Sequence, residues 1–258
     1  MPEAIEYEVE TGIAKILLDR PSMRNALNDQ LLTELQAALE RIEAANDVYA
    51  AILTGNGSAF SAGGDIPTVQ DWQSADRSDF EPELHAFQDI ISQLRSMSTP
   101  IIAAVNGPAV GAGCDIALAC DIRVISPDAE LIEGFVTIGL VSGDGGAWLL
   151  PRLIGESRAK QYLLTGDPIT ADVAVDIGLA AEQTETVIDS AQGYAEHLRD
   201  LPAAAVAHTK KLATIQAETL EDHFQTATAA QWECLQDPEH RETLAARLEG
   251  RDADLKRP

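Results

Sequence analysis

The stretch Ala103-Ala104-Val105-Asn106-Gly107-Pro108-Ala109-Val110-Gly111-Ala112-Gly113-Cys114-Asp115 most constrains what this chain can fold into. It reads as a short apolar strand, a glycine-rich turn and a helix opening at Ala112 to Asp115. Such a turn leaves backbone N–H groups free at a helix N-terminus, where the dipole favours negative charge. Gly111 lets a ligand approach the backbone closely. Asp115, in the first helical turn, would sit beside the anion held there. That pairing suits a reaction that builds an oxyanion next to a carboxyl acid or base, although an Asp at this place also caps helices. A dinucleotide site is the weaker reading. Gly111-Ala112-Gly113-Cys114-Asp115-Ile116 carries Ile where the third glycine of the fingerprint belongs, and no Walker-type phosphate loop occurs.

A second loop repeats the pattern. Tyr49 to Gly55 reads as a buried strand and runs into Asn56-Gly57-Ser58-Ala59-Phe60-Ser61-Ala62-Gly63-Gly64-Asp65. Two strand-end loops, each giving one N–H donor, would make a two-pronged oxyanion hole. A third glycine loop, Val141-Ser142-Gly143-Asp144-Gly145-Gly146, has an acid at its centre. Asp144 serves there either as acid, base or nucleophile, or as the cap of the helix that follows.

These pieces, in order, resemble the enoyl-CoA hydratase/isomerase (crotonase) superfamily. The resemblance rests on Arg20 to Asn28, Ala59 to Asp65, Ile102 to Asp121, Ile138-Gly139-Leu140 through Pro151-Arg152, Leu163 to Gly166, and Gly178-Leu179-Ala180. It implies an α/β fold, a spiral of ββα units over 1–195 that carries the acyl-CoA site. A C-terminal helical region over 196–258 would mediate oligomerisation. It also implies an acyl-CoA thioester substrate whose enolate-like oxygen is held by two backbone N–H groups, by position those of Ala62 and Ala112. Gly63, Gly64 and Asp65 would line the same acyl-CoA loop, with Gly111 across from them. The segment Arg24 to Leu27, Ala26 included, would lie near the nucleotide part of CoA. Arg24 is a candidate for a phosphate contact, since guanidinium suits phosphate. CoA enters as part of the substrate, and neither a cofactor nor a metal is expected.

The acids depart from the family pattern. Hydratases of the family place one Glu just after the second glycine loop and another about twenty residues later, and the pair hold a water. Asp115 matches the first position, one methylene shorter. Phe135 occupies the second and cannot transfer a proton. Glu133 lies two residues earlier, with nothing in the sequence to bring it into the site. Some isomerases and a dehalogenase of the family carry an Asp in the third loop, one position before Asp144. The expected catalytic pair is therefore Asp115 and Asp144, with Phe135 making the site more apolar and raising carboxyl pKa values. The expected activity is that of an enoyl-CoA hydratase or isomerase. A non-catalytic acyl-CoA-binding relative, a ring-type acyl-CoA isomerase and a thioester hydrolase are the alternatives.

The charge frames the rest. The 258 residues carry 18 basic and 42 acidic side chains, a net charge of -24. The acids run along the whole chain and lysine occurs five times. Such a surface resembles proteins of high-salt cytoplasm, where screening is short-ranged. It carries no basic patch to meet nucleic acid. Arg24, Lys210 and Lys211 are the candidate cations for anionic CoA. No apolar run is long enough to span a bilayer and no charged-then-apolar leader opens the chain, so a cytoplasmic protein is expected. Cys114, Cys120 and Cys234 read as small core residues, not as a disulfide or zinc framework. The family resemblance implies a homotrimer or a dimer of trimers. Phe224, Trp232 and Leu235 on the terminal helices suit such contacts.

Overall fold

The computed structural model describes residues 3–215 and 219–255. The chain opens with an antiparallel hairpin, β1 (Ile5–Glu10) and β2 (Ile13–Leu18), in register from Ile5 opposite Leu18 to Glu10 opposite Ile13. Its two-residue turn, Thr11 and Gly12, has positive φ at both positions (47° and 78°), as the twist of a tight hairpin requires. Helix α1 (Asp29–Ala44) follows. The Asn28 side chain accepts a hydrogen bond from the Leu31 N–H at 3.1 Å and caps it.

β3 (Ala50–Gly55) then pairs parallel with β2. The polar stretch Asp71 to Ser78 is the end of helix α2 (Ile66–Trp72), a short turn and the start of helix α3 (Arg77–Ser96). Trp72 accounts for the order. Its indole N–H donates to Glu83, and its ring meets Phe80 and Phe87 edge-on at centroid distances of 5.2 and 6.2 Å.

β4 (Ile101–Val105), the short β5 (Ala109–Val110) and helix α4 (Ala112–Ala119) come next, then β6 (Ile122–Ile125) and β7 (Glu130–Ile132). A 3-10 turn at Gly134–Ile138 leads to α5 (Gly146–Ile154) and α6 (Glu156–Thr165). β8 (Ile169–Thr170), α7 (Ala171–Asp176) and β9 (Glu182–Gln183) complete the strands. One sheet has the order β1-β2-β3-β4-β6-β9, parallel from β2 onward, and a second has β5-β7-β8. β3 and β4 are buried along their whole length, the apolar pattern of a parallel strand covered on both faces. α1, α3 and α4 pack over one face. Val187, Ala191 and Ala195 of α8 (Val187–Arg199) cover the other, against Ile52, Ile102 and Ala104.

The terminal helices are α9 (Ala203–Thr214), α10 (Leu220–Gln236) and α11 (Pro238–Glu249). The helices break at Leu201-Pro202 and Asp237-Pro238, the latter with Asp237 capping α11. The boundary placed between 195 and 196 falls inside α8, a helix that covers one face of the main sheet. Cys114 and Cys120 are buried and Cys234 is partly buried, all three with free thiols. No helix among the described residues is long and apolar enough to cross a membrane.

Candidate active site

The two glycine loops leave neighbouring parallel strands, β3 and β4, at the same end. They are laced together. Val110 N–H donates to the Ser61 carbonyl at 2.9 Å, and Phe60 N–H donates to the Pro108 carbonyl at 3.1 Å. Buried Asn25 holds the first loop from behind through its side-chain N–H groups, bonded to the carbonyls of Asn56, Ala59 and Phe60. Gly63 stands at the closest approach. Its φ is +83°, and a Cβ there would lie 2.4 Å from the Val110 carbonyl oxygen and 3.5 Å from the Ala112 nitrogen.

This lacing decides which N–H groups are free. Ala62, the expected donor of the first loop, gives its N–H to the Arg24 carbonyl at 2.9 Å. It is spent and cannot serve a ligand. Gly63 N–H goes to the Ser61 hydroxyl at 3.2 Å, and Asp65 N–H to the Leu27 carbonyl at 3.0 Å. Gly64 N–H has no such acceptor among the described residues, and Gly64 lines the cavity. The Ala112 N–H, at the open end of α4, is free in the same way. The two-pronged donor set is therefore Gly64 and Ala112. The correction is two residues long and has a local cause, the parallel bridge between Leu27 and Gly64, which turns alternate N–H groups to opposite sides.

Both donors open into a cavity of about 350 Å³ whose wall includes Gly63, Gly111, Phe87, Phe135 and Asp144. The Phe135 ring lies against Gly111, 3.5 Å from where a Cβ would be. Phe135 thus makes one side apolar, as expected. Asp144 is 8% exposed, and burial, then the charge of Glu133, raises its pKa to about 7. It does not cap the helix behind it. That N-terminus is served by the Ser142 hydroxyl, which accepts from Ala147 N–H at 2.9 Å.

Asp115 does not line the cavity. It is wholly buried in the first turn of α4. Glu133, which sequence reasoning left outside, is buried beside it at the end of β7. A Cβ on Gly146 would lie 2.2 Å from an oxygen of each carboxyl. Burial raises both pKa values, with Glu133 adding to the effect on Asp115. The signal for Glu133 was its isolation, one acid within Leu131-Ile132-Glu133-Gly134-Phe135. The partner that gives it meaning, Asp115, is 18 residues away, and only the fold joins them.

The other expected contacts divide. Asp65 pairs with Arg20 at 3.1 Å and closes the base of the first loop instead of facing the cavity. Arg20 also donates to the Ala26 carbonyl, so buried Ala26 belongs to the same brace. Arg24 and Lys211 are exposed and outside the cavity wall. Lys210 is no candidate for CoA. Its ammonium is buried against Asp121 at 2.8 Å and donates to the Leu94 and Thr99 carbonyls. No cluster of three or more metal-ligating side chains occurs among the described residues.

Comparison with known proteins gives the family. The family model for enoyl-CoA hydratase/isomerase matches residues 8–258. A crotonyl-CoA hydratase of Syntrophomonas wolfei is 33% identical over 257 residues, covering 98% of each chain. The 1,2-epoxyphenylacetyl-CoA isomerase of Escherichia coli is 33% identical over 222 residues, covering 85% of this chain and 84% of its own. The crystal structure of an enoyl-CoA hydratase from Bacillus anthracis superposes with a TM-score of 0.92 at 30% identity, over 98% of this chain and 99% of the other.

Proposed function

The chain belongs to the enoyl-CoA hydratase/isomerase family, and within it we propose an isomerase that moves the double bond of an enoyl-CoA thioester with one carboxyl, Asp144. The observation that carries this reading is positional. Of three neighbouring acids, only Asp144 reaches the cavity shared by the two free N–H groups. Gripping a water for addition takes two carboxyls at the substrate; carrying a proton from one carbon to another takes one.

The thioester oxygen accepts from the Gly64 and Ala112 N–H groups. Ala112 opens α4, so the helix dipole adds to its hydrogen bond. Each such donor contributes about 3 kcal/mol of transition-state stabilisation. The Asp144 carboxylate removes the proton from the carbon between carbonyl and double bond. The electron pair spreads into a dienolate with its charge on the bound oxygen. The Asp144 carboxyl then returns the proton to the far carbon, and the double bond ends next to the carbonyl. No proton is gained or lost overall, and the cavity wall, Phe135 included, excludes water from the intermediate.

The same proposal includes the setting. The protein works as a trimer, or a dimer of trimers, in a salt-rich cytoplasm. Half or more of Phe224 and Trp232 on α10 is exposed, apolar surface suited to contact between copies.

The test is a panel of 2-enoyl- and 3-enoyl-CoA thioesters in molar potassium chloride. Bond migration is followed by product analysis and water addition by loss of enoyl absorbance. Migration without hydration is expected, and Asp144→Asn should lower it about 10²–10⁴-fold. Hydration that depends on Asp144 would replace the isomerase with a hydratase. Binding without turnover would make this a non-catalytic relative.

A further inference from the structure

Behind the cavity wall lies a carboxyl pair that the proposed proton transfer does not touch. Asp115 and Glu133 come from different elements, α4 and the end of β7, and meet beneath Gly146, the first residue of α5. They are 0% and 2% exposed. None of their four oxygens makes a well-formed hydrogen bond to another group, and no Lys, Arg or His pairs with either acid among the described residues. Two unpaired charges in such a place would be prohibitive. Like carboxyls in contact resolve this by holding one proton between them.

We propose that Glu133 is a positioning residue of this site: with Asp115 it forms a pair carrying one proton and one negative charge beneath Gly146, two residues along the chain from Asp144, and that charge keeps Asp144 basic enough to take a proton from carbon. The inference rests on the proposed role of Asp144. The pair's proton does not move during turnover; only the charge acts, through space, on the cavity-facing carboxyl. The direction of influence agrees, since the charge of Glu133 raises the pKa of Asp144. Few other groups can compete with it. The only other titratable group on α4 near the pair is Cys114, a buried thiol held neutral well above its ordinary pKa. From α3, Gln88 donates to the Gly143 carbonyl at 2.9 Å and Ile91 faces Gly145. Arg95, one turn further, lies over the Trp148 ring of α5 at 5.8 Å.

The pair makes an unusual pattern of variants. An amide can replace the shared proton as donor, so Asp115→Asn or Glu133→Gln alone keeps the single charge. The double variant Asp115→Asn/Glu133→Gln loses it. So does Glu133→Met, which leaves Asp115 alone and protonated. The readout is the titration of Asp144 itself. It is followed by ¹³C NMR of protein carrying carboxyl-labelled aspartate and assigned by the signal missing from Asp144→Asn. The single amides should titrate near the parent. The double variant and Glu133→Met should titrate lower by about one pH unit, a tenfold loss of basicity. The acid limb of kcat/KM should move by the same amount. An unmoved Asp144 signal in a folded double variant, or in Glu133→Met if the double variant fails to fold, overturns the inference. Because NMR needs no turnover, a shifted signal in a protein that converts no enoyl-CoA keeps the pair and overturns the isomerase.

Discussion

At the scale of single residues, the site is a contest over where negative charge may rest. Among the described residues Asp144 is the one acid that lines the cavity, and burial, then the charge of Glu133, raises its pKa to about 7. In the proposed mechanism its carboxylate is the base. Activity should therefore climb about tenfold per pH unit below that value and level off above it, in the pH profile of kcat/KM. Stability runs the other way. Well below pH 4, Asp144 is protonated both folded and unfolded, and its burial carries no charge penalty. As pH rises toward 7 the unfolded chain ionises first, so the contribution of Asp144 to stability is lost across that interval. Above pH 7 the folded protein carries the buried charge at full cost. Asp144→Asn should then melt at a higher temperature than the parent at pH 8 and near the parent at pH 4, which thermal unfolding at the two pH values checks. An equal shift at both would point to packing instead of charge.

At the scale of elements, the loops show how much of the site the sequence could carry. The strands before both loops and the helix opening at Ala112 were legible. Each rests on a local signal: period, cap or turn residue. The free N–H of the first loop lies two residues beyond the expected Ala62. Which N–H faces the cavity there depends on the bridge between Leu27 and Gly64, two segments far apart in the chain. Glu133 was illegible for the same reason, because its partner is supplied by another element. The loops also show why glycine sits where it does. Gly63→Ala would set a Cβ 2.4 Å from the Val110 carbonyl in backbone that side chains rarely adopt. We expect it to cost about 1–3 kcal/mol of stability. The loss of kcat should be disproportionate, because the first loop must retreat from Ala112. Thermal melts beside kinetics separate the two: equal activity per folded molecule would mean that the donors do not depend on this approach.

At the scale of the molecule, the fold must hold together against a net charge of -24. The few buried cations are committed to the interior. Lys210 is tied to Asp121, and Arg123 donates to the carbonyls of Leu179 and Cys120. The remaining basic side chains are far outnumbered by the acids, 18 to 42 over the whole chain, so solution ions must screen the surplus. Screening reaches about 10 Å at 0.1 M salt and about 3 Å at 1 M. Over that range the repulsion between neighbouring acids falls steeply, whereas the pairs buried inside are scarcely affected. The melting temperature should rise markedly from 0.1 M to 1 M potassium chloride. Light-scattering mass should move toward a trimer or hexamer across the same range, because the proposed assembly would bring like-charged copies together and cover Phe224 and Trp232. Sucrose at matched osmolality strengthens burial without screening, and should give the smaller rise. If sucrose and salt act equally, the gain comes from exclusion at the apolar surface, and the acidic surface is not what salt relieves.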